Sequence, residues 1–257
     1  MNDGEEILYA QKVLKAVIKN REKSERDELA IKFFNQFSNW LNAFSSTGFN
    51  IFIFSLSQEQ NLLSQWRSYT PHGKGISLGF SPEIINKIVS ENKLKMARCR
   101  YSSEDHNEMM NTLLDKMLET FHQNSHDLTA INNPPGQEFH TFLEQFRGDN
   151  LQVFSIIKHP AFSEENEWRL ISPYYAKYTV EEIKYREGAS MLAPYIELTL
   201  DRWHDLKQHS HPVFFQSVCL GISQHRTLSF NALQQFLSNQ KVSHHTINSN
   251  VPYREWV

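Results

Sequence analysis

Residues 162–172 read FSEENEWRLIS, and three glutamates there, Glu164, Glu165 and Glu167, crowd a Trp-Arg pair where the chain turns apolar. On an extended segment successive side chains point to opposite faces. Glu165, Glu167, Arg169 and Ile171 would then share one face, and Asn166, Trp168, Leu170 and Ser172 the other. Carboxylates beside an arginine have two readings. One is a surface ion pair, worth under about 1 kcal/mol when exposed. The other is a site in which the guanidinium holds an anion and a glutamate acts as the acid. Trp168 and Leu170 are expected to anchor the strand in a core, which leaves Glu165, Glu167 and Arg169 as the candidate site face.

Further arginines could join them. REGASMLAPY, residues 186–195, sets Arg186 near Ser190 ahead of a Pro-Tyr strand start, and the closing SNVPYREWV places Arg254 after a second Pro-Tyr. The rigid arginine fork binds phosphate or carboxylate in bidentate fashion, so arginines converging near a glutamate would make an anion pocket with an acid inside it. Tyr69 and His72 precede the HGKG turn and would bring polar tips to a strand edge. Twelve histidines include the His244-His245 pair, but their spacings match no zinc pattern and no metal is expected. No G-x-G-x-x-G, G-K-[ST] or G-x-S-x-G motif occurs, so dinucleotide-binding Rossmann, P-loop and serine-hydrolase sites have no support.

Composition bounds the rest. The chain has 257 residues, 40% of them hydrophobic and 21% charged, which fits one folded domain of ordinary composition. A net charge of −3 gives no global attraction for nucleic acid. Cys99 and Cys219 stand far apart without a C-x-x-C partner, which argues against a disulfide framework and for the cytoplasm. No apolar run reaches the roughly 18 residues of a membrane helix, and MNDGEEILYAQ is acidic where a signal peptide is basic.

These candidate residues need elements to position them. Ile7, Leu8, Val13, Leu14, Val17 and Ile18 mark a helix over 5–23 that Asn2 or Asp3 would cap. Leu29, Phe33, Phe34, Phe37, Trp40, Leu41 and Phe44 mark a second, aromatic on one face and therefore buried against something. NIFIFSLS, 50–57, reads as a buried strand. A short helix, a turn and a second strand follow, then a strand over 93–101 and a polar helix opened by Ser102 or Ser103. INNPPGQ, 131–137, breaks that helix, and another is expected over 138–157. The back third carries the strands EWRLIS, IKYRE, APYIELTL and PVFFQSVCLGIS, a helix near 228–237 and a last strand, KVSHHTINS. The expected class is α+β: one domain with a mostly antiparallel sheet, flanking helices and a helical insertion at about 104–160.

FSLSQEQNLLSQWRSYTPHGKGISLGF, EENEWRLI, REGASMLAPYIEL and SNVPYR, in this order, resemble the bacterial domain-of-unknown-function family 2971. The matching positions are Ser55, Ser57, Trp66, Tyr69, Gly75, Gly79 and Phe80, then Glu165, Glu167, Trp168 and Arg169. The resemblance covers most of the chain outside the helical insertion. Longer relatives begin with an H-Y-T segment, a short helix and a Y-L-N-D-x-x-E stretch. MNDGEE is similar to that last piece, so the chain is expected to start late, without the family's first strand and helix.

The order of H-Y-T strand, serine strand and late E-x-E is in turn similar to ADP-ribosyltransferases, which transfer ADP-ribose from NAD. That similarity implies Glu167 as catalytic acid against developing positive charge. It implies Glu165 orienting the acceptor, Ser55 or Ser57 supporting the active-site strand, and Tyr69 stacking on nicotinamide. It further implies a bacterial toxin or anti-phage effector, with an inactive shortened chain left open. Two alternatives stand beside this. One is a non-catalytic nucleotide or anion sensor using Arg169, Arg186 and Arg254. The other is an interaction module that self-associates through the phenylalanine-rich front helix. For Trp66, Phe80, Gly75 and Gly79, core packing and turn geometry are the expected roles.

Overall fold

The computed structural model describes residues 4–43, 50–70, 75–128, 134, 136–176, 180–188, 191–198, 213–240, 242–243, 245–249 and 251. Asn2, Asp3, Phe44, His72, Ser190, His244 and Arg254 lie outside them. The fold is α+β, as the alternation of helical and strand patterns predicts. Where one domain is expected, contacts divide the chain into two compact units. The first takes 1–55, 95–164 and 168–180, and the second 56–94, 165–167 and 181–257.

The first unit is built on helices. α1 (Gly4–Ser24) and α2 (Glu28–Ala43) pack together, and α1 also packs on α5 (Ser103–Leu128) and α7 (Arg147–Phe154). Asp27 opens α2 by accepting from Leu29 N at 3.0 Å, and Ser102 opens α5 by accepting from Asp105 N at 3.0 Å. The phenylalanine face of α2 closes the core: Phe33 and Phe121 stack at 4.6 Å, and Phe121 and Phe139 meet edge to face at 4.8 Å. Phe33, Phe34 and Phe37 are fully buried by the chain's own helices, so the face offered above for self-association is already covered.

The single helix expected over 138–157 is two short ones. α6 (His140–Gln145) and α7 are separated at Phe146, and both contribute to the core through Phe142, Leu143, Leu151 and Phe154. Glu144 sits at this break, taking both Arg147 nitrogens at 2.7 and 2.6 Å and the Trp40 indole at 2.6 Å. The expected insertion is therefore part of the core that α1 and α2 complete.

A three-stranded sheet lies in the order β1 (Ile53–Ser57), β4 (Glu167–Ile171), β3 (Lys95–Arg98). β3 and β4 are antiparallel with Ala97 opposite Arg169. Backbone bonds Ser172 N to Phe52 O at 2.9 Å and Gln58 N to Asn166 O at 3.1 Å mark β1 and β4 as antiparallel too. The boundary between the units falls within both strands.

The second unit holds α3 (Leu63–Tyr69), β2 (Ile76–Gly79), α4 (Pro82–Glu91), the hairpin β5 (Lys184–Glu187) with β6 (Leu192–Tyr195), β7 (Val213–Phe214), β8 (Ser217–Leu220), α8 (Arg226–Asn239), β9 (Val242–Ser243) and β10 (Thr246–Asn248). β8 is central, antiparallel to β2 and parallel to β10, while β7 and β9 are also parallel. One mostly antiparallel sheet is thus replaced by several small ones, two with parallel pairs. Gly221 lets this unit close: its N–H donates to Gly75 O at 2.9 Å, and a Cβ there would meet the Trp66 ring at 2.9 Å.

Candidate functional site

The motif glutamates do not share a strand. Residues Pro160–Glu165 form a 3₁₀ turn, Asn166 takes a left-handed φ of 42°, and β4 begins only at Glu167. Left-handed backbone is unusual outside glycine, with asparagine among the residues that tolerate it best. It breaks the expected alternation, leaving Glu165 half-buried on the turn and Glu167 buried, 6% exposed, at the strand start. Ser57 of β1 joins the two stretches: its hydroxyl donates to Glu165 O at 3.0 Å and accepts from Glu59 N at 3.2 Å. A segment near 57 and one near 165 therefore meet at one turn.

Both faces of β4 are covered: Leu170 is buried as expected, and so are Glu167, Arg169 and Ile171 on the other face. Ile171 belongs to the helical core and Ala97, opposite Arg169, packs against it, so the face bearing Arg169 is turned to the core. Trp168 is only half-buried, and Met96, on its side of the sheet, is exposed. A central strand covered on both sides buries charge only where partners await it.

Arg169 has such partners. Arg169 Nη2 lies 2.9 and 3.1 Å from the two Glu6 carboxylate oxygens, and Nη1 donates to Ser155 O at 2.6 Å. Lys158 Nζ stands 3.6 Å from Glu6 Oε1 and 5.2 Å from the Phe162 ring centroid. The Arg169 and Lys158 side chains are 5% and 8% exposed and that of Glu6 15%. Breaking such a buried pair by removing one member costs on the order of 3–5 kcal/mol. Beside it, Tyr9 OH lies 3.4 Å from His106 Nδ1, while His106 Nε2 lies 2.8 Å from Arg100 O. A carbonyl only accepts, so Nε2 carries the proton. The Tyr9 ring also meets His159 edge-on at 5.4 Å.

The remaining described candidates are exposed. Tyr69 ends α3 with 67% of its surface exposed, and Ser55 is exposed on β1. Arg186 lies on the exposed hairpin with its guanidinium 5.9 Å from the Tyr195 ring centroid. His72, Ser190 and Arg254 lie outside the described residues, and the Arg169 guanidinium is engaged by Glu6. Among the described residues no group of three or more His, Cys, Asp or Glu is placed to hold a metal ion, and no helix is long and apolar enough to cross a membrane.

This geometry lies at the end of a stretch with a family match. Residues 65–170 match DUF2971, a protein family of unknown function. No curated protein and no solved structure matches the chain. The DUF2971 match runs from α3 to β4. It takes in E-N-E-W-R and the α5–α7 helices that the motif resemblance leaves out, and it stops short of REGASMLAPY and SNVPYR. It also excludes Glu6.

Glu6, Lys158, Tyr9 and His106 are the polar residues that the motifs did not single out. Glu6 closes MNDGEE and pairs with a residue 163 positions away, a separation at which neither helical periodicity nor strand alternation carries information.

Proposed function

We propose that the DUF2971 segment, with its flanking strands, is the core of an NAD-dependent ADP-ribosyltransferase-like enzyme of bacterial toxin or defence type. The observation that supports it is the Ser57 hydroxyl bonded to the Glu165 carbonyl at 3.0 Å, which sets the S-L-S strand against E-x-E as the motif order requires. A strained Asn166 between the two glutamates supports it too, since uncommon backbone conformations cluster at functional sites.

In this reading the bond from ribose C1′ to nicotinamide breaks and nicotinamide leaves with the electron pair. Glu167 stabilises the oxocarbenium-like centre left at C1′. An acceptor oriented by Glu165 then forms the new bond at C1′ and releases its proton to solvent. Tyr69, exposed at the end of α3, is the residue for stacking on nicotinamide. His72, Arg186, Ser190 and Arg254 are the candidates for holding the dinucleotide phosphates.

Burial of Glu167 to 6% exposure favours a second reading, a non-catalytic nucleotide or anion sensor. Incubation with NAD labelled in the nicotinamide ring separates the two. Release of label by the natural chain, lost on Glu167→Gln, supports the transferase. Binding without release, weakened by Arg186→Ala, supports the sensor. Absence of both binding and release refutes both.

A further inference from the structure

We propose that the outer face of α8 is a two-fold contact whose occupant is the α8 of a second copy of this chain. The inference goes beyond the transferase reading and stands without it, since it uses only residues of the second unit.

α8 covers one side and bares the other. Leu237 is buried and Ser229, Phe230 and Leu233 are half-buried, on the side where the helix contacts β8 and β9. Leu228, Ala232 and Phe236 are exposed, Leu228 to 70% and Phe236 to 59%. Residues four apart on a helix are neighbours, so these three form one ridge. Single exposed apolar residues need no explanation, but a contiguous row is the kind of patch that marks an interface.

Two features choose a second copy as the cover. The first is symmetry: the row reads large, small, large about Ala232. A two-fold axis through Ala232 and perpendicular to the helix sets Leu228 of each copy against Phe236 of the other, and Ala232 against itself. A short side chain at the crossing point lets the two axes reach the roughly 8–10 Å separation of packed helices.

The second is charge. Residues 227–240, TLSFNALQQFLSNQ, contain no Asp, Glu, Lys or Arg, in a chain that is 21% charged. Such a face has nothing to offer a charged partner, and an anionic lipid or nucleic-acid surface would be met by Lys and Arg. The row beside the ridge is Asn231, Gln235 and Asn239, all exposed. The same axis keeps this row beside its own copy, and carboxamides both donate and accept, so the row can pair with itself.

The 14 residues of α8 make a face about 21 Å long and about 10 Å wide. That footprint is well short of the roughly 800 Å² per partner in a stable complex. The pair therefore forms and parts with concentration.

Sedimentation equilibrium of the full chain, from low to high micromolar concentration, tests this. The wild type is expected to rise from the 30.2 kDa of one chain to twice that mass and stop there. Ala232→Glu and Ala232→Lys each put like charges face to face on the axis, so each alone should weaken association at least tenfold. Mixed in equal amounts, they should regain it. Glu and Lys both suit an exposed helix position, so the fold is kept. Leu192→Glu, which removes an exposed apolar side chain from the hairpin, should leave the mass curve unchanged.

A wild type that keeps the mass of one chain throughout overturns the proposal, as does a mass that climbs past two chains. So does a Glu and Lys mixture that associates no better than either variant alone, or a Leu192→Glu loss equal to that of Ala232→Glu. If a variant at position 232 loses its helical circular dichroism, Leu228→Lys is compared with Leu228→Lys plus Phe236→Glu. The second change must then restore what the first removes, and failure to do so overturns the two-fold contact. A monomeric wild type that cosediments with phosphatidylcholine vesicles, and ceases to do so as Phe236→Glu, gives the face to lipid and overturns it too.

Discussion

Asn166 separates the two motif glutamates by its backbone alone. At φ 42° a glycine is free of strain and a β-branched residue is not. Asn166→Gly is expected to leave stability within about 0.5 kcal/mol, and Asn166→Val to cost roughly 1–2 kcal/mol by the usual left-handed penalty. Denaturant titration of both variants measures this. Glu138 makes a different residue-scale claim. Its own backbone N–H first, then Lys32 and Gln36, hold its carboxyl down to about 2 from 4.5. A carboxyl lowered on folding contributes stability that is complete above its unfolded value and is lost as pH falls through the folded one. That contribution should therefore drain away between about pH 4.5 and 2. Melting temperature against pH should be flatter across this window in Glu138→Gln than in the wild type. Equal slopes would remove the assignment.

Among the elements, α4 carries its own start signal: Ser81-Pro82-Glu83 is a cap, a first-turn proline and an acid. The Ser81 hydroxyl accepts from Ile84 N at 3.4 Å, and Ile84, Ile85 and Ile88 are buried. Ser81→Ala is expected to cost about 1 kcal/mol and Ser81→Asp to restore most of it, which urea unfolding monitored by helical circular dichroism would resolve. Helices α1 and α2 were legible because each writes an apolar stripe at local spacing, and α5 because a serine cap opens it. β1, β4 and β8 were legible from their β-branched and aromatic residues, and β3 from the alternation of KLKMARCRY. The break at Phe146 was not, because an apolar pattern continues through it while Glu144 and Arg147 lock the bend by a contact of fixed geometry. The candidate site was legible in its residue types, Glu165, Glu167 and Ser57, but not in its facing. Alternation presumes an unbroken strand, and one left-handed residue moved Glu165 off it. The partner that lets Arg169 be buried, Glu6, lies far upstream.

At the scale of the molecule, the division into two units was invisible for a related reason. The first is assembled from three separate stretches, and nothing in local composition marks where 1–55 resumes at 95. Surface chemistry, by contrast, follows directly from the sequence. The net charge is −3 with histidines neutral, and the isoelectric point lies near 6.5. Near that pH the repulsion that keeps copies apart vanishes, while apolar side chains such as Leu228 and Phe236 on α8 and Met191 and Leu192 at the hairpin remain exposed. Self-attraction measured by static light scattering should therefore peak at about pH 6.5 and weaken on either side. Leu228→Glu with Phe236→Glu adds two negative charges and removes two apolar contacts, so the peak should move to lower pH and become shallower. A peak that shifts without weakening would show that charge alone controls the attraction and that α8 does not supply the sticky surface.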